Sequence, residues 1–250
     1  SMINIIYYHK DSLNYISLIS VGKSPISYTY YSIYPLVIES MKARIISLLV
    51  IIMSLCPAVA RSAEEATNTL LVYGDSLSAA YGIQEAQGWV ALLESRLNEE
   101  DWPYKLINGS VSGETTTGGL ERLPAMLSNY QPDLVILELG GNDGLRGLPL
   151  ETLKANLKKM ISLIRAAGGE VLLTGIQIPP NYGPRYTEPF FSLYTEISEE
   201  DSLALVPFLI DGIPQQPELM QNDGIHPKAE AQIMILDNVW PYLEPMLSRL

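Results

Sequence analysis

The chain has 250 residues, enough for one good-sized domain with a core of its own. Its formal charge is −12, from 16 Lys and Arg against 28 Asp and Glu. That balance disfavours nucleic acid as a partner, because phosphate binding needs a basic face.

The first 60 residues read differently from the rest. Ser1-Met2 reads as a tag scar ahead of a start methionine. Residues 3–40 are rich in Tyr, Ile and Ser and show no regular hydrophobic period. Then MKARIISLLVIIMSLCPAVA, Met41 to Ala60, has the layout of a secretory signal peptide. Lys42 and Arg44 form its positive end, Ile45 to Leu55 its apolar run, and Ala58-Val59-Ala60 a small-x-small cleavage site. The apolar run is shorter than the about 20 residues that span a bilayer. The expectation is cleavage after Ala60 and export to the periplasm or beyond, with no stable membrane anchor left. Met41 is then the natural start and residues 1–40 a mis-assigned upstream extension; a true N-terminal extension with an anchor is the alternative. Cleavage removes Cys56, the only cysteine, and His9, so His226 is the only histidine of residues 61–250. It also takes four of the 16 Lys and Arg and two of the 28 Asp and Glu, leaving a single domain of net charge −14.

Within residues 61–250, Thr69 to Tyr73 is a short apolar β run. It ends in LVYGDSLSAAYG, where the apolar stretch stops at Gly74-Asp75-Ser76. Gly88 to Leu97 has helical spacing, with Trp89, Leu92, Leu93 and Leu97 on one stripe. Tyr104 to Asn108 predicts a second strand. Thr115 to Leu127 predicts a helix, with Pro124 a point of breakage or restart. Asp133 to Leu139 is nearly all apolar, as a strand buried on both faces requires. Leu150 to Ala166 is amphipathic, with Leu153, Leu157, Met160, Ile161 and Ile164 recurring at helical intervals. Glu170 to Ile176 predicts a strand, Arg185 to Glu199 a helix, Leu203 to Phe208 a strand, and Lys228 to Leu250 a last helix broken at Pro241. Alternation of this kind implies βαβ units. The predicted fold is α/β, a three-layer sandwich around a parallel sheet of about five strands in a flavodoxin-like order.

In such a sheet ligands sit at the carboxyl ends of the strands, and the polar residues collect there. Gly74-Asp75-Ser76 follows the first strand, Asn108 to Glu114 the second, and Gly140-Gly141-Asn142-Asp143-Gly144 the third. Asn222-Asp223-Gly224-Ile225-His226-Pro227 precedes the last helix. Acyl transfer by serine needs a nucleophile, a base, a group that orients the base, and donors for an oxyanion. Ser76, beside a helix N-terminus that would favour negative charge, suits the first role. His226 is the one histidine available as base, Asp223 is near enough to meet its Nδ1, and Pro227 can open the last helix and fix the ring's direction. The amides of Ser76 and Gly113 and the side chain of Asn142 can supply oxyanion donors. Each piece alone has a plainer reading: Ser76 as an N-cap, GGNDG as a turn, Asp-x-x-His as a turn, His226 as a surface residue. Their joint presence, in order, at the loops of one sheet edge favours catalysis.

GDSLS at 74–78, the Gly113 loop, GGND at 140–143 and DGIHP at 223–227 resemble the four blocks of the SGNH (GDSL) hydrolases. The resemblance runs from about Thr69 to Leu243. GDSLSAAYG, RLPAML, LELGGNDGLRG, PPNYGPRY and MQNDGIHP are similar to its bacterial periplasmic thioesterase I/protease I/lysophospholipase L1 (arylesterase) subfamily. The resemblance implies Ser76 as nucleophile, His226 as base and then acid, and Asp223 as the group that orients it. It implies an oxyanion hole of Ser76, Gly113 and Asn142, no metal or other cofactor, and a monomer or weak dimer. The site is not the α/β-hydrolase elbow, G-x-S-x-G, because Ser78 stands where that motif has glycine.

The same resemblance implies that residues 144–149 move over bound acyl chains. Leu145 and Leu148 are then substrate contacts, with Arg146 outward; Tyr182, Arg185 and Tyr186 form a second rim. A plain surface loop is the alternative at 144–149. Glu85, in a segment that departs from the nearest relatives, is expected to place a charge near the mouth. The leading expectation is a serine esterase cleaving acyl esters, thioesters and lysophospholipids, with small acyl esters or lipids as substrate. A carbohydrate O-deacetylase and a non-catalytic binding module are the alternatives.

Overall fold

The protein is described by a computed structural model over residues 3–10, 13–20, 29–32 and 68–249. Residues 41–60, the expected signal peptide, with Cys56, lie outside the described residues. The chain forms two compact units, Ser1–Ser62 and Ala63–Leu250. In the first, β1 (Ile3–Lys10), β2 (Leu13–Ser20) and β3 (Thr29–Ser32) pair antiparallel in the order β1-β2-β3. Ile, Tyr and Thr suit pleated strands. Doublets such as Ile5-Ile6 and Tyr7-Tyr8 break the two-residue alternation that would have announced them.

The second unit alternates strands and helices: β4 (Asn68–Gly74), α1 (Trp89–Glu99), β5 (Tyr104–Asn108), α2 (Thr116–Tyr130), β6 (Leu134–Glu138), the short α3 (Gly141–Leu145), α4 (Leu150–Ala166), β7 (Glu170–Thr174), α5 (Pro184–Asp201), β8 (Ala204–Val206) and α6 (Gln232–Leu247). All four strand pairings are parallel, in the order β5-β4-β6-β7-β8, which is the expected flavodoxin-like order. Side chains alternate across the sheet. Leu70, Val72, Leu134, Ile136 and Leu172 pack on one face with α1 and α6. Leu71, Tyr73, Val135, Leu137 and Leu173 pack on the other with α2, α4 and α5. Every residue of β6 is buried, which explains why four of its five residues are apolar.

Four local expectations need correction. Pro124 and Pro241 lie inside α2 and α6 without ending them. Both are exposed, so the carbonyl that each leaves without a donor faces water. The GGNDG segment is a one-turn helix rather than a plain turn. No helix opens at Ser76: residues 75–83 are successive turns, and α1 starts only at Trp89. Nor does Pro227 open the last helix, which begins at Gln232 after a 3-10 turn, Ala229–Ala231.

Because the chain leaves β4 for β5 on one side and continues to β6 on the other, the carboxyl ends of β4 and β6 frame a crevice. Gly74 and Glu138, the last residues of these strands, are register partners.

Candidate active site

The turn that carries Ser76 begins where β4 runs out of apolar residues. A Cβ on Gly74 would overlap Oε2 of Glu138, so the close approach of the strand ends requires glycine there. Ser76 follows, half-buried, in turns closed by Ala79 N–H to Asp75 O (3.0 Å) and Tyr81 N–H to Ser76 O (3.2 Å).

His226 arrives from the far end of the chain. Its carbonyl accepts from Gln221 N–H at 2.7 Å, and Met220 and Pro227 form an antiparallel bridge, so a small hairpin aims the ring. Asp223 Oδ1 accepts from the amides of Ile225 (2.9 Å) and His226 (3.0 Å). Its Oδ2 lies 2.7 Å from His226 Nδ1, and His226 Nε2 lies 2.9 Å from Ser76 Oγ. Burial pushes the Asp223 carboxyl up, but the hydrogen bonds from His226 and Ile225 outweigh it and hold the group at about 2. An ionised carboxylate only accepts, so in the neutral ring the proton sits on Nδ1 and Nε2 is left to accept from Ser76. Tyr81 lies against the His226 ring, centroids 4.5 Å apart, and its carbonyl accepts from Gln221 Nε2 at 2.8 Å.

The Gly113 loop is tied to the Ser76 turn by Val111 N–H to Gly74 O (3.0 Å) and Asn108 Nδ2 to Ser78 O (2.9 Å). Gly113 has φ +80°, which favours glycine and turns the loop. Among the described residues, no protein acceptor takes the Ser76 or the Gly113 N–H. Asn142, on α3, donates through Nδ2 to Asp75 Oδ2 at 3.1 Å, which leaves its second Nδ2 hydrogen unused. Buried Asp143 anchors this turn by accepting from Thr116 N–H (2.8 Å) and Thr116 Oγ1 (2.5 Å) at the start of α2.

Two buried carboxyl groups underlie these parts. Burial raises Asp75 to about 6, against hydrogen bonds from Leu77 and Asn142 that lower it. Burial, with Asp75 close by, raises Glu138 well above the carboxylate range. Glu138 Oε2 accepts from Asp75 N–H (3.1 Å) and Ser78 Oγ (2.7 Å).

A protein-family model described as the GDSL-like lipase/acylhydrolase family matches residues 72–232. The chain belongs to that family. Esterase TesA of Pseudomonas aeruginosa is 52% identical over 184 residues, covering 74% of this chain and 92% of the relative. Thioesterase 1/protease 1/lysophospholipase L1 of Escherichia coli is 41% identical over 185 residues, covering 73% of this chain and 86% of the relative. The crystal structure of TesA superposes with a TM-score of 0.70 at 53% identity, covering 71% of this chain and 99% of that one.

In this acylhydrolase a cavity of about 620 Å³ opens at Ser76 and Asn142. Ile176, Ile178, Phe191, Phe208, Met220 and Ile225 give it an apolar wall. Leu145 lines it as well; Leu148, Tyr182 and Arg185 do not. Tyr182 instead donates from its hydroxyl to Leu145 O (2.9 Å), and Tyr186 to Leu148 O (3.0 Å), so this rim holds the 144–149 segment rather than the cavity. Arg146 is exposed and donates to Gly113 O at 3.0 Å. Glu85 is exposed in the 3-10 turn Glu85–Gln87, away from the cavity wall. Among the described residues no helix is long and apolar enough to cross a membrane, and no group of three or more His, Cys, Asp or Glu could hold a metal ion. The sequence left the roles of Glu138 and Ser78, and the wall from Phe191 and Phe208, without assignment. Only Glu138 left a signal, as the one charge inside LVILEL.

Proposed function

We propose that this enzyme is a serine esterase that cleaves acyl esters and thioesters through an acyl intermediate on Ser76. The observation that carries the reading is the unbroken chain from Ser76 Oγ to His226 Nε2 (2.9 Å) and from His226 Nδ1 to Asp223 (2.7 Å). Ser76 Oγ attacks the acyl carbon while its proton passes to Nε2. Asp223 accepts from Nδ1–H and stabilises the imidazolium that forms. The developing oxyanion is met by the N–H groups of Ser76 and Gly113 and the second Nδ2 hydrogen of Asn142. Collapse expels the leaving group, which takes the proton from Nε2. Water, deprotonated by the same nitrogen, then attacks the acyl carbon and frees the acid and Ser76.

The apolar wall supports acyl chains longer than acetyl as substrates, and the names of the relatives support thioesters and lysophospholipids among them. Export rests on the composition of residues 41–60 alone. The test is turnover of a p-nitrophenyl ester series by the wild type and Ser76→Ala. The reading expects octanoyl to be preferred to acetyl and turnover to vanish in the variant, with its fold intact by circular dichroism. Near-wild-type rates in Ser76→Ala would end it; acetyl preference would favour the deacetylase instead.

A further inference from the structure

Among the buried titratable groups that the mechanism leaves unused is Glu138. Glu138 ends β6 at 0% exposure, inside an otherwise apolar strand, directly under the nucleophile turn. A single oxygen of its side chain, Oε2, accepts from the residue before Ser76 (Asp75 N–H, 3.1 Å) and from the residue two after it (Ser78 Oγ, 2.7 Å). These two bonds bracket the nucleophile. Asp75 extends the bracket, since its Oδ1 accepts from Leu77 N–H (3.1 Å) and its Oδ2 from Asn142 Nδ2 (3.1 Å). One side chain of β6 thus reaches both the backbone that carries Ser76 and, through Asp75, the amide of Asn142. The other oxygen, Oε1, is buried with no hydrogen-bond partner among the described residues. Full burial and a second buried carboxyl group beside it both disfavour a charge there, so Glu138 suits a neutral acid.

We infer that Glu138 is a positioning residue, a neutral acceptor whose two bonds set the place of Ser76 and, through Asp75, the direction of the Asn142 amide. The inference rests on Ser76 as nucleophile. Its effect falls on the chemical step, because both clamped groups act in the transition state while the apolar wall that holds the acyl chain is untouched. It also accounts for Gly74, whose Cβ would overlap Oε2.

The test uses the full chain with p-nitrophenyl butyrate, and reads Ser76 reactivity separately as the rate of phosphonylation by a p-nitrophenyl alkylphosphonate. Glu138→Leu keeps the bulk and removes the acceptor. It is expected to lose kcat and phosphonylation rate together, by about tenfold to a hundredfold, with KM changed less than about twofold. Glu138→Gln offers an uncharged oxygen to both donors and is expected to restore kcat to within about threefold of the wild type. Wild-type kcat in Glu138→Leu overturns the inference, and so does a glutamine variant as damaged as the leucine one. If Glu138→Leu does not fold, Ser78→Ala decides, because it removes one of the two donors. A fall in kcat of about threefold to tenfold at constant KM then supports the inference, and unchanged kcat overturns it. Failure of the nucleophile reading is distinguishable, since phosphonylation would then persist in Ser76→Ala.

Discussion

Asn142 Nδ2 donates to Asp75 Oδ2 at 3.1 Å, so the amide proposed to meet the oxyanion is held by the residue next to the proposed nucleophile. The two parts of the site come from loops 67 positions apart, and this hydrogen bond joins them directly. Removing the amide is therefore expected to act on the transition state. Asn142→Ala should lower kcat by about a hundredfold to a thousandfold, or about 3 kcal/mol, with KM little changed. Steady-state kinetics on one ester checks this. A loss confined to KM would assign Asn142 to ground-state binding instead.

Asp223 is proposed to act through its charge and its hold on His226 Nδ1. Asp223→Asn keeps the shape but presents an amide to Nδ1, which favours the wrong tautomer of His226. A fall in kcat of about a thousandfold or more is expected, with the folded state retained. Stopped assays at high enzyme concentration measure what is left. A loss below about tenfold would mean that His226 needs no carboxylate partner.

The Asp75 carboxyl titrates from 3.8 up to about 6 on folding, because burial disfavours its charge. The folded state therefore binds its proton more tightly than the unfolded state. The resulting stability is full below about pH 4 and is lost as pH rises through about 6. Asp75→Asn lacks this component. Wild-type stability, measured by urea unfolding, should fall relative to the variant as pH rises from 4 to 7. Parallel pH curves would show that Asp75 is not protonated in the folded protein.

Phe191, on α5, forms part of the cavity wall while remaining only partly buried. Its truncation to alanine should leave the fold intact and remove contact from long chains only. The expected result is a loss of about 1–3 kcal/mol in kcat/KM for octanoyl esters and little change for acetyl esters. Equal losses on both would place the acyl chain elsewhere.

Much of this arrangement was legible in the sequence, for reasons that differ by residue. Asp133 to Leu139 predicts a strand buried on both faces because its nearly continuous apolar run shows no polar alternation, and Leu134–Glu138 is that strand, buried throughout. Leu150–Ala166 was legible to the residue, because its apolar stripe has the helical period. Ser76, Gly113, Asn142, Asp223 and His226 stood out as polar groups in glycine-rich loops at one sheet edge. The wall of the cavity was not legible, since Phe191, Phe208 and Ile178 look like ordinary core residues until the chain folds around a space. Glu138 shows in the sequence only as a lone charge in an apolar strand, and only the register with Gly74 shows that it lies under the turn. The rim at Tyr182 and Tyr186 shows the opposite case. These tyrosines sit near the site, yet their hydroxyls are taken by the carbonyls of Leu145 and Leu148.

The most direct test of the central claim is the identity of the residue that becomes covalently modified. Intact protein treated with a p-nitrophenyl alkylphosphonate should gain one phosphonyl group, and peptide mass spectrometry should place it on Ser76. Asp223→Asn and Asn142→Ala should gain it more slowly. A phosphonyl group on any other residue, or full modification of Ser76→Ala, would contradict the assignment of Ser76 as the nucleophile.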